Sequence, residues 1–488
     1  MSRCGILAVL ACSSLMGCSS PMIEGEEEDV GATGDSLTQA LTCYASNRNS
    51  LMACYNELLS HSKDRLVITE NIYCSTAYPC HLLFNNGYVG PIVIQGLNVN
   101  GVPPVIHRTD GFSYPIIDIQ NASKIEVRNI EFREGQVNQP AFRYDPARDD
   151  AGLYWSYSRN QACDQPQFMG SWLRACKPTV HIGEESSKIF LDRLFVYESK
   201  GFPGAVTLGN ITDVTIRRST FFHSWAMGIF SIAGTGPGEH VPVNLRLENN
   251  RFENGRCSGT ETVANPGVIS GNTYIHNHQG AIYHVQGGQL NPMRHTANTI
   301  VSDNDILNGS LDEDPTLVAL GWHVPGIEVG PNDINSLSLI HNYIRSNSGY
   351  GAKRDAGSCG VNCNNGVTTI KYNVVYNNQL GSFWGLDPAA LTGNCTDPGC
   401  TFARSSGSLW ATPMNTCTPD PITHNCSLTI NWSTSCQNHG IPQVRVAGGN
   451  VFAQSASGSQ AAPWISGETR FDLYCGEHLV KTMYVGVN

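Results

Sequence analysis

Five short stretches repeat through the middle of the chain: ENNRF (Glu248–Phe252), SGNTY (Ser270–Tyr274), SDNDI (Ser302–Ile306), IHNYI (Ile340–Ile344) and KYNVV (Lys371–Val375). Each sets an asparagine two residues ahead of an apolar one. The asparagines are Asn250, Asn272, Asn304, Asn342 and Asn373, so the spacings are 22, 32, 38 and 31 residues. Between them run short alternations such as Val214-Thr-Ile216 and Leu337-Ser-Leu339, punctuated by Asn and Gly. Period-2 alternation between such breakers predicts short strands and tight turns. A unit of about twenty residues cannot bury an apolar face alone, so recurrence with insertions predicts stacked coils, a solenoid.

On this pattern, about Val67 to Leu386 resembles the right-handed parallel β-helix proteins of the pectate-lyase-like superfamily. The resemblance implies that the asparagines stack as a hydrogen-bonded ladder, a structural role. The fold class expected is all-β: a β-helix with an N-terminal capping helix, followed by a small β-sandwich. Leu41–Ser60 reads as that helix, with Leu51, Met52, Tyr55, Leu58 and Leu59 apolar. The alternating strands from about Ser408 resemble an immunoglobulin-like module.

The N-terminus reads as a targeting segment. An apolar run, Gly5–Ala11, precedes Leu15-Met-Gly-Cys18, which resembles a lipoprotein lipobox with Cys18 as the lipid-bearing residue. The expected organisation is signal peptide 1–17, acidic tether 18–40, β-helix domain 41–394, linker 395–407 and sandwich 408–488. That makes the protein exported and lipid-anchored, at the outer membrane or cell surface. An exported chain with 18 cysteines is expected to form disulfides. Neighbours in sequence suggest Cys43–Cys54, Cys74–Cys80, Cys163–Cys176, Cys359–Cys363, Cys395–Cys400 and Cys417–Cys426, with Cys436–Cys475 further apart and Cys257 left over. The net charge of −11 and the lack of a basic, aromatic-interleaved patch argue against nucleic acid as a partner. A monomer is expected.

Only 15% of residues are charged, yet Ala352-Lys-Arg-Asp-Ala356 packs three charges between alanines. Aligned on turn glycines, GAVTLG (Gly204–Gly209), GIFSIAG (Gly228–Gly234), GAIYHV (Gly280–Val285), GIEVG (Gly326–Gly330), GAKRDAG (Gly351–Gly357) and GSFWGL (Gly381–Leu386) read as one strand of successive coils. Alternation then points Asp118, His181, Thr207, Ser231, Tyr283 and Glu328 outward. Two registers stay open for the charged triplet. Either Lys353 and Asp355 face out beside Glu328, or Arg354 does, in line with Tyr283 and Trp384. A buried cation is costly, so a local bulge is expected. The candidate catalytic residues are Lys353, Arg354, Asp355, Glu328, Tyr283 and His284, with Asp333 in reserve. The alternative for Glu328 and Lys353 is a plain cross-coil salt bridge.

Insertions supply aromatics that suit sugar rings: Trp155, Tyr157 and Trp172 within Arg143–Lys177, and Trp322 within Leu307–Pro325, with Trp384 on the sheet itself. A disulfide-clamped loop with its own small core is the plainer account of the first insertion. Asp312-Glu313-Asp314 suits Ca²⁺ or is a solvated turn. His276 and His278 have zinc-like spacing but lack a further ligand at firm spacing, so no metal is assigned.

The resemblance implies three functions: a polysaccharide lyase on an acidic polysaccharide, a glycoside hydrolase using Glu328 and Asp355, or a non-catalytic glycan binder. The Arg-x-Pro-x-x-Arg of pectate lyases, the Gly-His-Gly and Arg-Ile-Lys of polygalacturonases and the Asp-Pro-His-Asp of alginate epimerases are absent. The lyase leads on the cations of the triplet.

Overall fold

The computed structural model describes residues 41–98, 102–109, 114–134 and, with interruptions, 177–397 and 406–487. The chain enters as a strand, Thr42–Ala45, paired in parallel with Arg65–Ile68. Helix α1 follows over Arg48–Leu59. The single helix expected over Leu41–Ser60 is therefore shorter. Its first residues are taken into the ladder with Arg65–Ile68, and Asn47 starts the helix where a side chain can serve the free amides. Asn47 accepts from the Ser50 amide while Ser50 Oγ accepts from the Asn47 amide, a reciprocal cap. Leu51, Cys54, Tyr55 and Leu58 turn inward, and a disulfide joins Cys54 to Cys43.

From Arg65 to Thr392 the strands stack in parallel on three faces. One face runs from Thr42–Ala45 through Val243–Glu248 to Leu391–Thr392. Another runs from Ile72–Cys74 to Val374–Tyr376. The long strands Ala122–Glu134 and Ser187–Tyr197 turn the corner between these two and join them into one twenty-stranded sheet. The third face is a separate ten-stranded sheet from Leu82–Phe84 to Gly381–Trp384. This is a parallel β-helix.

One hydrogen-bonded ladder and one stack of rings explain the Asn-x-apolar repeat. Asn250 Nδ2 donates to Asn272 Oδ1 at 3.0 Å, Asn272 to Asn304 at 3.0 Å, Asn304 to Asn342 at 2.9 Å and Asn342 to Asn373 at 3.0 Å. Each carboxamide oxygen also accepts the main-chain amide of the preceding asparagine. The ladder continues to Asn394. Buried amides are fully satisfied this way, so the turn stays dry without penalty. The apolar partner of the repeat faces inward: Phe252 stacks on Tyr274 at 4.9 Å between centroids, and Phe221 of the coil before extends the stack at 5.0 Å. A residue before each ladder asparagine often takes the left-handed conformation, as at Asn249, Gly271, Asp303, His341 and Tyr372. That need accounts for much of the Asn, Gly, Asp and His in these turns.

The chain divides after Thr396 into two compact units. The second unit holds a three-stranded sheet (Ser406–Thr412, Cys426–Ser435, Ser457–Ile465) and a five-stranded one containing Thr469–Cys475 and His478–Val487. Leu428, Ile430, Trp432, Val444, Phe471 and Leu473 belong to its own core. The expected disulfides Cys43–Cys54, Cys74–Cys80, Cys417–Cys426 and Cys436–Cys475 are present, and Cys395 is disulfide-bonded. The other expected pairs involve residues outside the described ones, as do residues 1–40 with Cys18. Among the described residues, no helix is long and apolar enough to cross a membrane.

Candidate functional site

Strand pairing on the ten-stranded sheet lines up ten residues in one column: Leu83, Asp118, His181, Thr207, Phe230, Glu261, Tyr283, Glu328, Lys353 and Trp384. The inward neighbours Ile117, Val180, Val206, Ile229, Ile327 and Ala352 are buried. Lys353 therefore joins Glu328, while Arg354 pairs with Val329 and His284 with Thr262 and Val329. Among the described residues of this strand the expected bulge is not found: the pairings of Ala352–Arg354 with Ile327–Val329, and of Tyr350–Lys353 with Gly381–Trp384, run without a shift.

The glycine alignment misplaces one coil. Gly204 pairs with Met227, so Phe230 takes the position beside Thr207 and Ser231 turns inward beside Leu208. Ser231 is tolerated there because its hydroxyl donates to the Val263 carbonyl at 3.0 Å and accepts the Val263 amide at 2.8 Å. Glu261 is another column residue that the sequence did not disclose. Its coil reads Thr260-Glu-Thr262, so the inward positions are polar and the alternation is invisible. Thr260 is accommodated by the Tyr274 hydroxyl, 3.3 Å away. Counting coils from Gly259, which makes the turn before that strand, would have found it.

The late end of the column forms the candidate site. Lys353 Nζ stands 3.7 Å from Glu328 Oε1 and 5.6 Å from the centroid of the Trp384 ring. Tyr350 stacks on that indole at 5.9 Å. The accessibilities differ in a way that matters. The Lys353 side chain is 17% exposed and Trp384 is 39% exposed, whereas Glu328 is 6% and Glu261 1% exposed. The reachable charge is the ammonium, and it lies beside an open aromatic face. Asp355, Asp333, Trp155, Tyr157, Trp172, Trp322, His278 and the Asp312–Asp314 cluster lie outside the described residues. His276 occupies a left-handed turn position. Among the described residues no group of three or more His, Cys, Asp or Glu is placed to hold a metal ion.

Three faces of stacked parallel strands with an internal asparagine ladder define the class, a parallel β-helix. No family model matches the chain, and no curated protein is matched by it. Solved structures similar to it include an alginate lyase from Paenibacillus sp. (8% identity, 72% of this chain and 98% of that one, TM-score 0.36). They also include the surface adhesin PfbA of Streptococcus pneumoniae (11%, 72% and 94%, TM-score 0.32). A third is the A-module of the mannuronan C-5 epimerase AlgE6 of Azotobacter vinelandii (10%, 74% and 97%, TM-score 0.34). The strand register, not these overlays, carries the fold assignment.

Proposed function

We propose that the protein is an exported polysaccharide lyase that holds an acidic polysaccharide along the outer face of the ten-stranded sheet. The observation that carries this reading is the setting of Lys353: a partly exposed ammonium beside an exposed indole, next to the almost wholly buried carboxylate of Glu328. A uronate sugar offers a carboxylate to the first and an apolar ring face to the second. In the lytic step a base removes the proton beside the sugar carboxylate. That electron pair forms the carbon–carbon double bond, and the glycosidic C–O bond breaks with its pair on the departing oxygen, which takes up a proton. Lys353 neutralises the sugar carboxylate as the carbanion develops. Tyr283, two register positions away, is assigned the proton transfer, with Arg354 and His284 in the adjacent column as further candidates.

Hydrolysis is the second reading. Glu261 and Glu328 sit two strand steps apart, about 9–10 Å, near the upper end of the separation used by inverting glycosidases. Asp355 is the other partner for Glu328. The burial of both glutamates weighs against this reading, because a catalytic carboxylate must reach the glycosidic bond. A non-catalytic glycan binder is the third.

One screen separates the three. Acidic and neutral polysaccharides are incubated with the protein, and both absorbance of unsaturated ends and reducing sugar are followed. The lyase gives both signals on an acidic polymer. Reducing sugar without absorbance makes it a hydrolase, and binding with neither signal makes it a binder.

A further inference from the structure

The opposite end of the same column carries a second group of titratable side chains that the lytic reading does not use. Asp118 is 5% exposed. Its carboxylate accepts from His181 Nδ1 at 2.8 Å, His81 Nε2 at 3.2 Å and Gln120 Nε2 at 2.8 Å. Burial pushes this carboxyl up, but the bonds from His181, His81 and Gln120 outweigh it and hold it well below the usual carboxylate range. With one ring nitrogen of each imidazole committed to Asp118, the other nitrogens, Nε2 of His181 and Nδ1 of His81, lie on the far side of each ring. Both side chains are more than a quarter exposed. His81 stacks on the exposed ring of Tyr114 at 5.3 Å. Gly183 makes room for His181, since a Cβ there would come within 3.1 Å of Nε2.

We propose that His81 and His181, braced by Asp118, form a second subsite for an acidic polysaccharide, one that binds an anionic sugar group only while the imidazoles are protonated. It rests on the reading of this face as the polysaccharide face. Each end of the column then pairs a cation with an exposed aromatic, Lys353 with Trp384 and His81 with Tyr114. His181 and Lys353 are six strand steps apart, about 29 Å, so a polymer reaches both and a short oligosaccharide only one. Among the described residues, the groups facing the imidazoles are few. Leu83 and Thr207 flank Asp118 and His181 in the column and are uncharged. Tyr55 of α1 lies near enough to feel the charge of Asp118. Behind Tyr114, the buried Arg108 is bound to Glu134 and to the carbonyl of Tyr114. A protonated imidazole donates its outer N–H to a sugar carboxylate and a neutral one does not, so binding takes up protons and is tighter at the lower pH.

The test is calorimetric binding of polygalacturonate and alginate at pH 5 and pH 8, with dextran as the neutral control. Wild type should bind an acidic polymer about tenfold more tightly at pH 5, the scale of one charge-assisted hydrogen bond. The double variant His81→Asn/His181→Asn should bind at both pH values as wild type does at pH 8. The single variant His181→Gln, matched to wild type in melting temperature, should fall between and guards against misfolding. A pH ratio unchanged in the double variant, an equal ratio for dextran, or no binding of either acidic polymer at pH 5 overturns the proposal. Lys353→Ala separates the two readings. Weaker binding at both pH values with the ratio kept supports both. No loss with Lys353→Ala, while the ratio still vanishes in the histidine variant, leaves this subsite standing and removes Lys353 from the polysaccharide site.

Discussion

Lys353 and Arg354 are neighbours in the chain, yet the register gives them different columns, one with Glu328 and one with Val329. Alternation counted from Ala352 was enough to anticipate the first. Alignment on glycines suggested the other, and it failed because a glycine in a coil turn can slip by a residue without cost to the ladder. Ser231 shows the same limit: a serine that bridges main-chain groups inside the coil reads in sequence like a surface residue. Asp118 and His181 were legible as outward residues, but His81, reaching the same carboxylate from the segment after Cys80, was not. Asp118 also carries a pH prediction. Its carboxyl titrates below its unfolded range, so it adds stability above the unfolded value of about 3.9, and this is lost as pH falls toward the folded one. Urea-unfolding midpoints between pH 5 and pH 2 should fall less steeply for Asp118→Asn than for wild type. Parallel curves would remove the histidine–aspartate cluster from the acid stability.

At the scale of elements, the asparagine repeat announced its own structure, because one residue type meets a turn's hydrogen-bonding needs from coil to coil. The ladder's last rung, Asn394, escaped notice because the coil at Leu391–Thr392 is too short to show alternation. The inward stack of Phe252 on Tyr274 was carried by the same motif, whereas Phe221 follows Ser219 and was not. The rungs are not equal. Asn272 is fully buried, donates to the Leu247 carbonyl and to Asn304, and accepts from the amide and side chain of Asn250. Removing it strands buried donors and acceptors on both neighbouring coils. Asn272→Ala should cost about 3 kcal/mol, and Asn394→Ala, at the end of the ladder, distinctly less. Denaturant midpoints measure both, and equal losses would mean that the rungs act singly rather than as a stack.

The whole molecule divides after Thr396, and the second unit has its own sheets, its own apolar core and the Cys436–Cys475 bridge. A fragment of residues 405–488 should therefore melt cooperatively by itself in calorimetry, and a gradual, heatless transition would count against its independence. Attachment is read from Leu15-Met-Gly-Cys18. Cys18→Ala should move the protein out of the membrane fraction, and unchanged fractionation would end the lipid-anchor proposal. The fold was readable because the solenoid repeats itself. The site was less so, because it is assembled by register across coils separated by insertions of different length.

The central claim is that Lys353 acts on substrate and is not merely the partner of Glu328. The measurement is the rate of unsaturated-end formation on an acidic polysaccharide by wild type, Lys353→Ala and Glu328→Gln, with melting temperatures taken alongside. The account predicts near-native melting, a loss of about 10²-fold or more for Lys353→Ala, and a smaller loss for Glu328→Gln, which keeps the cation. Unchanged rates in Lys353→Ala, or equal losses in both variants tracking their stability, would contradict it and leave the pair a salt bridge between coils.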